Sequence, residues 1–591
     1  MNDGLHGVFQ LGAQGLSDAE RSWLACGAAG AQRTRWSDQT AGFWFSDGAP
    51  LPGDTGYVAQ QGLVTGFLGD LDHRCALAAR LALASDSAAA QLVWTALQRG
   101  GERGLDDVHG QWTFWCWEVR TRVLTVAVSR NLRDPLYLAS GGSCVALSSS
   151  IRHLQGLPWL SRDVDAQGLL LAMGRAPLRT SGDGRTWQHD VMALLPGSLH
   201  RLRLGEHTRS TWAAPLPPEQ WQGDFTAAVG EMERRARDAV RLRIRRHRTI
   251  AVMLSGGMDS SVLAWLAASV LRPDQRLIAV SSVASSASGL ADERRWIALV
   301  ARTLGIDVHY VSPAADTDVY RPSSAHFTQL ESPLPGPRHY LYEQLFMAAR
   351  AAGADAVLDG CYGEHSLTRA AHRQVARAYW KQVAAHLLLH ARRACARCRD
   401  PGIAELFHVQ LSAKARSMLR GPMPRHLPAP GMAPHSRPWR LPMGLPQGYA
   451  KAAAHTENTC VAGLRRLMPF RAQELASLSA ALPGTMVERD GQSRAIVRAI
   501  LRQGFPAELY LRPDKQAFSP EHPLLLQRGA AAELARIDAE QDAPAWDWVD
   551  RAWLRMALQQ VAAGVADTRT RDMALASCSA LAFLHWRTVG S

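Results

Sequence analysis

Short apolar runs alternate with helical patterns between residues 224 and 358, and this alternation is the clearest structural signal in the chain. Apolar runs of this length, bounded by turn residues, predict strands that are buried on both faces. The predicted strands are Ile250–Leu254, Leu277–Val283, Val308–Val311 and Ala356–Leu358, and the predicted helices cover about 224–246, Val262–Leu271, Asp292–Leu304 and Tyr340–Ala352. Such alternation predicts a doubly wound α/β parallel sheet, which binds ligands beyond the carboxyl ends of its strands.

The residues before about 215 follow a different pattern, with many short apolar runs, glycines and tryptophans. Leu124–Val128 and Cys144–Leu147 are predicted strands of this part. The proline-rich stretch Pro215–Pro218 predicts a linker. We therefore expect one domain over residues 1–215 and a second over 216–591.

The chain after the last predicted strand is mainly helical and extends the second domain. Gly421–Gln447 interrupts it with eight prolines in 27 residues, so this segment cannot be a regular helix. It is either a lid that contacts a peptide or a structureless connector, and the sequence leaves both interpretations open.

The composition is that of a globular protein, with 591 residues, 47% hydrophobic and 20% charged. No apolar run approaches the roughly 18 residues that a membrane span needs, and the N-terminus lacks the pattern of a secretory signal. The nine cysteines are scattered and odd in number, which favours a reducing cytosol over a disulfide framework. We expect a cytoplasmic protein without a membrane partner.

The formal net charge of +13 suggests anionic partners, and ATP, pyrophosphate and nucleic acid would each qualify. The densest basic run, Arg234–Arg248, holds eight arginines and lies just before the first predicted strand. The favoured interpretation is a solvent-exposed helix face. Electrostatic attraction of a nucleotide or an acidic peptide is the alternative.

The first predicted strand leads into Ser-Gly-Gly-Met-Asp-Ser-Ser (residues 255–261), a glycine turn at the start of a helix. Exposed N–H groups and the helix dipole make such a turn an anion site. Gly256 and Gly257 let the backbone approach a phosphate closely, and the serines of the segment add hydroxyl donors. Asp259 would repel a bare phosphate, so its presence predicts a divalent cation between the carboxylate and the phosphates.

This segment is not a Walker A motif, which requires a Gly-Lys-Ser/Thr ending. It resembles the pyrophosphate loop of the ATP pyrophosphatases, which split ATP into AMP and pyrophosphate to activate a carbonyl or carboxyl group. The resemblance implies that ATP and Mg²⁺ bind here. The residues that it assigns to pyrophosphate are Ser255, Gly256, Gly257, Asp259, Ser260 and Ser261, and those that it assigns to adenosine are Met253, Val280 and the backbone at Gly360.

Four segments of the first domain carry a second resemblance. In chain order they are Gly62–His73, Leu105–Trp117, Arg130–Tyr137 and the serines around Ser148. Their order and spacing resemble the glutamine-amidotransferase domain of class B asparagine synthetases, which implies an Ntn-type α/β/β/α sandwich.

The nucleophile of that amidotransferase class is missing from its expected position. A working domain exposes a cysteine as its first residue, and the free α-amine of that cysteine can serve as the base. Here residue 2 is Asn2, the Cys-Gly step of the family falls at His6 and Gly7, and the nearest cysteine, Cys26, is not terminal. We therefore expect no glutamine hydrolysis and a scaffolding role for this domain.

β-Lactam synthetases and lasso peptide cyclases share that loss, and both activate a carboxylate as an acyl-adenylate and close a ring with an amine of the same substrate. The segments that look most like the lasso cyclases are Leu358–Ser366, Arg489–Arg494 and Leu511–Phe518. This resemblance implies that Asp259 and Glu364 bind magnesium through hard oxygen ligands. It also implies that Lys515 stabilises charge on the acyl-adenylate and its tetrahedral intermediate.

The group that deprotonates the amine is the least defined part of this site. β-Lactam synthetases use a Tyr–Glu pair, and Tyr362 lies near the tyrosine position, but no Asp or Glu occurs between His365 and Asp400. A peptide α-amine, with a pKa of about 7.7–8.0, is substantially neutral at cytosolic pH and needs less help from a base. This departure favours a peptide N-terminal amine, with Tyr362 and His365 as candidates for proton handling.

The leading hypothesis is an ATP-dependent macrolactam synthetase, which adenylates an Asp or Glu side chain of a ribosomal peptide and joins it to the peptide's N-terminal amine. The expected partners are the precursor peptide, a leader-binding protein and a leader protease, with no nucleic acid. The main alternative is a β-lactam synthetase-like or asparagine synthetase-like ligase that acts on a small amino acid. A tRNA-modifying pyrophosphatase and an inactive scaffold are further alternatives, and the degenerate first domain and the intact loop argue against them.

Overall fold

The computed structural model describes most of the two predicted domains. The described residues are 4–26, 35–46, 54–132, 134–166, 168–169, 184–212, 220–314, 316–333, 338–367, 412–414, 462–513, 515–540 and 544–589. The predicted linker Pro215–Pro218 and the proline-rich segment Gly421–Gln447 lie outside the described residues.

Twelve strands form the described N-terminal part: β1 Gly4–Gln10, β2 Arg35–Ser37, β3 Ala41–Ser46, β4 Gly56–Gln60, β5 Leu63–Leu71, β6 Gly110–Glu118, β7 Val123–Val128, β8 Tyr137–Gly141, β9 Cys144–Ser148, β10 Val191–Ala193, β11 Ser198–Arg203 and β12 Glu206–Thr211. They pair antiparallel in two six-stranded sheets, with the orders β10-β8-β9-β1-β3-β2 and β12-β11-β7-β6-β5-β4. The two strands predicted in this part are confirmed as β7 and β9, each with one further residue.

Strand β6 illustrates the layers of this sandwich, because both of its faces are buried. Trp112 packs with apolar residues of helix Ala89–Gly100 on the outer side of the second sheet. Trp115 and Trp117 point the other way and pack with residues of the first sheet. On the far side of the first sheet, the short helix Ile151–Leu154 packs against β9. These layers confirm the predicted α/β/β/α sandwich.

A five-stranded parallel sheet lies at the centre of the C-terminal part. Its strands are β13 Thr249–Met253, β14 Arg276–Ser282, β15 Val308–Val311, β16 Ala356–Leu358 and β17 Arg465–Leu467, in the order β15-β14-β13-β16-β17. The four predicted strands are confirmed, and separate apolar clusters cover the two faces as a doubly wound sheet requires. Strand β17 was not predicted, since three residues are too few to show a pattern. A small hairpin, β18 Glu488–Arg489 and β19 Gln492–Ser493, lies further along the chain.

Helices pack on the sandwich and on the parallel sheet, and they also form the C-terminal extension. They are Asp18–Cys26, Arg74–Arg80, Ala89–Gly100, Ile151–Leu154, Phe225–Ile244, Met258–Ser269, Arg294–Leu304, Ser324–Leu330, His339–Ala351, Gly363–Ser366, Gln473–Ala481, Gly484–Val487, Ala495–Leu501, Ala507–Tyr510, His522–Ala539, Arg551–Ala562 and Thr568–Val589. The helix after β13 begins at Met258 rather than at the predicted Val262, because its first turn is polar and does not show the apolar pattern. Among the described helices, none is long and apolar enough to cross a membrane.

The basic run Arg234–Arg248 forms ion pairs within the protein along most of its length. Four of its arginines pair with acids on their own helix: Arg234, Arg235, Arg237 and Arg241 with Glu231, Glu233 and Asp238. Three more contact acids of the N-terminal part: Arg243, Arg245 and Arg246 with Asp54, Asp70 and Asp72. This pairing favours a structural role for the run over attraction of a nucleotide.

Glu331 makes a second set of contacts between the N-terminal and C-terminal parts of the chain. Its carboxylate accepts hydrogen bonds from the Ser150 hydroxyl and from the backbone N–H groups of Ile151 and Arg152. Its carbonyl oxygen accepts a further bond from the indole of Trp187, at 2.6 Å. Burial raises the pKa of Glu331 to about 7 in spite of these donors. A residue of the C-terminal part thus caps a helix of the sandwich.

Candidate active site

The turn after β13 has the shape of a phosphate cradle. Gly256 has φ +69°, in the left-handed region, and a Cβ there would lie 2.9 Å from Oε2 of Glu293. A Cβ at Gly257 would lie 2.8 Å from Nζ of Lys515. Gly256 is therefore favoured by its left-handed conformation, whereas a side chain at Gly257 would displace the end of Lys515.

The three serines of the loop differ in their contacts. The Ser260 hydroxyl accepts a hydrogen bond from the Ser255 N–H and donates to the Gly257 carbonyl, at 3.2 and 3.0 Å. The Ser261 hydroxyl is fully buried and also donates to the Gly257 carbonyl, at 2.9 Å. The Ser255 hydroxyl accepts a hydrogen bond from Lys515 at 3.2 Å. Ser261 therefore maintains the shape of the turn, whereas Ser255 faces the site.

Lys515, predicted from a segment more than 250 residues away, lies directly on this loop. Partial burial of its ammonium group lowers the pKa of Lys515, while the negative charges of Asp259 and Glu293 oppose that shift. The side chain as a whole remains exposed at the mouth of the site. The structure therefore brings together the loop and the lysine that the sequence assigned to one site.

A buried ion pair behind the loop was not predicted. Both terminal nitrogens of the Arg512 guanidinium group donate to the Glu293 carboxylate, at 2.6 and 2.8 Å, and one also donates to the Gly256 carbonyl at 3.0 Å. The Glu293 carboxylate accepts a further bond from the Gln516 N–H at 2.6 Å. The available signal was positional: Arg512 lies three residues before Lys515 in the matched segment, and Glu293 begins a predicted helix.

The second predicted magnesium ligand lies on a turn that touches the first. Glu364 is exposed on the short helix Gly363–Ser366 at the end of β16. A Cβ at Gly363 would lie 3.1 Å from the carboxyl carbon of Asp259, so the two acidic segments are in contact. Arg494 holds one oxygen of Asp259 at 3.4 Å.

These two carboxylates fit a magnesium ion that bridges to phosphates. Mg²⁺ is usually held by one or two carboxylates together with substrate phosphates and water. In the part of the chain that the structure describes, no group of three or more His, Cys, Asp or Glu could hold a metal by itself. Asp259 and Glu364 would hold Mg²⁺ together with the phosphates of a bound nucleotide.

Met253 and Val280, the predicted adenosine contacts, are register partners at the carboxyl ends of β13 and β14. Both side chains are buried in the apolar cluster on one face of the sheet. Contact with a nucleotide at this point would therefore involve the strand backbone. A Cβ at Gly360 would lie 3.7 Å from the Ser260 nitrogen, which places this third predicted contact along the first turn of the loop helix.

The segment after β16 is fixed by a second ion pair that the sequence did not reveal. Arg466, on the unpredicted strand β17, donates to the buried Asp359 carboxylate at 2.8 Å. Burial alone would raise the pKa of Asp359, but Arg466 and the N–H group of Cys361 hold it below its usual value. The pair sets the position of Gly360 next to the loop.

Of the two candidates for proton handling, only Tyr362 has a described side chain. It has φ +72° and is half-buried, and the Arg471 guanidinium lies 5.4 Å from the centre of its ring. Burial raises the pKa of Tyr362. The backbone of His365 belongs to the helix Gly363–Ser366, and its side chain lies outside the described part.

The position expected for the amidotransferase nucleophile is filled by packed rings. His6 lies on β1, and its Nδ1 is 2.8 Å from the Ser148 hydroxyl. Its ring stacks on Trp44 at 4.2 Å and meets the edge of His153 at 4.3 Å between centroids. The side chain is buried, so a close-packed aromatic cluster surrounds the position expected for the nucleophile.

Each of the two parts of the chain matches a known protein family. Residues 231–588, more than half of the chain, match the asparagine synthase family, and residues 72–213 match a glutamine amidotransferase domain. Asparagine synthetase (glutamine-hydrolyzing) 3 of Bacillus subtilis (strain 168) is 26% identical over 165 residues. That match covers 28% of this chain and 26% of the relative, so the chain spans about a quarter of the relative's length.

Solved structures align over longer stretches but with low scores. Glutamine phosphoribosylpyrophosphate amidotransferase from B. subtilis, in complex with ADP and GMP, covers 60% of this chain and 90% of its own, with 12% identity and a TM-score of 0.27. The U34-tRNA thiolase NcsA from Methanococcus maripaludis, with its 4Fe–4S cluster, covers 57% and 79%, with 12% identity and a TM-score of 0.23.

Proposed function

Because the chain belongs to the asparagine synthase family, a family of ATP-dependent carbon–nitrogen ligases, we propose that it forms an amide bond and releases AMP and pyrophosphate. The observation that carries this proposal is the position of Lys515, whose Nζ would contact any side chain at Gly257. A glycine turn suited to phosphates is thus faced by a cation from a distant segment. A fixed cation aimed at a developing oxyanion stabilises the transition state by about 3 kcal/mol.

Each group near the loop has a task in this reaction. Exposed backbone N–H groups of the turn after Ser255 bind phosphate oxygens, and Lys515 holds the oxygen of the reacting carboxyl group. ATP supplies the adenylyl group that activates the carboxylate. Asp259 and Glu364 would hold Mg²⁺, which would neutralise phosphate charge.

We further propose that the reacting carboxylate and amine belong to one ribosomal peptide, in which the enzyme closes a macrolactam ring. The packing of His6 supports this step. His6 takes the position of the family's nucleophilic cysteine and packs against Trp44 and His153, so we propose that the first domain does not make ammonia from glutamine. The amine would then come from the substrate. A peptide α-amine, with a pKa of about 7.7–8.0, is substantially neutral at cytosolic pH and can attack with little help from a base, for which Tyr362 and His365 are the candidates.

The partners of such an enzyme would be the precursor peptide, a leader-binding protein and a leader protease, all in the cytoplasm, with no nucleic acid or membrane in the reaction. The alternative is a β-lactam synthetase-like or asparagine synthetase-like ligase with a small amino acid as substrate. The two alternatives differ in which compound is consumed together with ATP.

The test uses the purified full chain with a precursor peptide encoded beside its gene, the leader protease and the leader-binding protein. We expect AMP and pyrophosphate to form in amounts equal to those of a product that is lighter than the linear core peptide by one water. ADP and phosphate as the main products would refute the ligase assignment. Turnover of a free amino acid, with none of any peptide, would instead favour the alternative.

Two carboxylate variants link that activity to the site. Asp259→Ala and Glu364→Ala should each abolish turnover, even at saturating ATP, because each removes a ligand that would hold the metal. Asp274→Ala, which removes an exposed carboxylate that pairs with Arg272, is the matched control and should retain activity.

A further inference from the structure

Lys515 is a long, flexible side chain, yet it occupies a defined place over the loop. The segment that carries it, Leu511–Phe518, will be called the lysine segment. It consists of turns and irregular backbone, apart from Asp514, which lies outside the described residues. A lysine side chain loses rotamer freedom when it is fixed, so its backbone must be held firmly for the ammonium group to stay in place.

The ion pair of Glu293 and Arg512 is placed to hold that backbone. Arg512 belongs to the lysine segment and donates to the carbonyl of Gly256 in the loop. Glu293, on neither segment, accepts from Arg512 and from the N–H of Gln516, the residue after Lys515. Its Oε2 also stands 2.9 Å from the place where a Cβ at Gly256 would project. One carboxylate therefore contacts the lysine segment on both sides of Lys515 and touches the loop as well.

The pair is protected from water. The side chains of Glu293 and Arg512 are only 4% and 5% exposed, and the Arg512 guanidinium lies 4.6 Å from the centre of the Trp296 ring. Buried pairs of this kind contribute less to net stability than to a single arrangement of the groups around them, because a displaced partner leaves a charge without solvation. A structural device that excludes alternative arrangements is what a lysine at a reaction centre needs.

We propose that Glu293 and Arg512 are positioning residues that lock the lysine segment onto the pyrophosphate loop and so fix the ammonium group of Lys515 over Gly257. The catalytic significance of this lock rests on the proposed function, since it is the amide-forming reaction that requires the lysine. The geometric part of the inference, that Lys515 is held by the pair, can be measured without any substrate.

The small number of lysines in the chain makes that measurement specific. The sequence contains four lysines, Lys381, Lys414, Lys451 and Lys515, among 66 basic residues. Acetylation by an amine-selective reagent can therefore be followed at Lys515 by mass spectrometry, with Lys414 as an internal reference. Lys414 is exposed and lies on the surface next to Asp547, with which it forms an ion pair.

Glu293→Gln retains the size of the side chain and removes its charge. We expect the acetylation rate of Lys515, relative to Lys414, to rise several-fold, because a loosened segment releases the ammonium group from its hydrogen bond with Ser255. Arg512→Lys, a milder change that retains the charge and loses the planar fork, should give a smaller rise in the same direction. It also keeps the inference testable should Glu293→Gln fail to fold.

The matched control is Arg295→Gln. Arg295 lies two residues beyond Glu293 and pairs at 2.7 Å with Glu508, four residues before Arg512, so it joins the same two regions. That pair is exposed, with 74% and 46% of the two side chains accessible, and the acetylation of Lys515 should be unchanged by its loss.

Kinetics then separate this inference from the proposed function. With the peptide substrate, Glu293→Gln should lower kcat more than it changes KM for ATP, as expected for a defect at Lys515 rather than in ATP binding. Faster acetylation in a protein whose wild type cyclises no peptide would uphold the lock and refute the proposed substrate. A folded Glu293→Gln protein with wild-type acetylation of Lys515 would overturn the lock itself.

Discussion

The guanidinium group of Arg243 and the carboxylate of Asp72 form a bidentate ion pair between the sandwich and the synthetase-like part. The two N–O distances are 3.0 and 2.8 Å, and both side chains are more than nine-tenths buried. Arg243 lies on helix Phe225–Ile244, which leads directly into β13 and the pyrophosphate loop. The sandwich is thus joined to the helix that precedes the glycine loop.

Removal of one partner should therefore destabilise the whole chain. We expect Asp72→Ala to lower the free energy of unfolding by about 3–5 kcal/mol, because Arg243 would be left buried and charged without its carboxylate. Denaturant unfolding followed by tryptophan fluorescence measures this. The control is Asp307→Ala at the exposed pair with Arg276, which should cost less than about 1 kcal/mol. Equal effects of the two variants would contradict a structural role for the joint.

Local sequence patterns were sufficient for the regular elements of the sheet and for the loop. Strands β13, β14 and β16 were predictable because parallel strands buried on both faces are continuous apolar runs. Strand β15 lies at the edge of the sheet and none of its residues is buried, so the prediction was right for its position and wrong for its burial. The turn at Gly256 was predictable because its glycines and serines are consecutive in the sequence. Strand β17 was not predictable, since Arg465–Leu467 is short and basic and pairs only at the edge of the sheet.

Ion pairs between distant segments could not be predicted in the same way. Nothing local marks Glu293 as the partner of Arg512, or Asp359 as the partner of Arg466, because these contacts span 219 and 107 residues. The position of Lys515 was predictable only through the family resemblance of its segment. No local pattern marked the packing of His6 against Trp44 either. The absence of the family's cysteine from that position could be seen in the sequence.

The first domain should be inactive towards glutamine. We expect purified protein to release no ammonia from glutamine, and His6→Ala to leave ring closure near the wild-type rate, because His6 is a buried packing residue of the first domain. Its loss opens a cavity between Trp44 and His153, so a modest loss of stability is expected and should be measured alongside activity. Measurable glutaminase activity in the wild type would contradict the scaffolding role.

The stability of the protein should fall on mild acidification because of two buried histidines. Burial lowers the pKa of His326 to about 3 and that of His339 to about 4, and their rings lie 5.7 Å apart. In the unfolded chain both would titrate near 6.5. The unfolded state therefore binds more protons, and stability, complete above pH 6.5, is lost as the pH falls towards 4, by up to about 1.4 kcal/mol per pH unit for each ring.

His326→Phe removes one of these titrations while it keeps an aromatic ring. Unfolding free energies measured between pH 7 and pH 4.5 should then fall less steeply than in the wild type. His189→Phe, at an exposed histidine beside Asp190, is the control and should leave the slope unchanged. An unaltered slope in His326→Phe would show that other groups dominate acid unfolding.

Lys515 should be required for ring closure and dispensable for folding. Lys515→Ala should reduce the rate by about 10²–10³, as loss of an oxyanion partner typically does. Lys515→Arg should also be poor, because a planar guanidinium cannot take the place of a compact ammonium group between Ser255 and Gly257. Lys414→Ala, at an exposed lysine, is the matched control and should cyclise normally.

Because Asp259 and Glu364 are intact in Lys515→Ala, the carboxylate should still be activated, and hydroxylamine should trap it as a hydroxamate at an internal Asp or Glu of the peptide. A Lys515→Ala enzyme that closes the ring at the wild-type rate would exclude this residue from the chemistry and remove the main support for the proposed reaction.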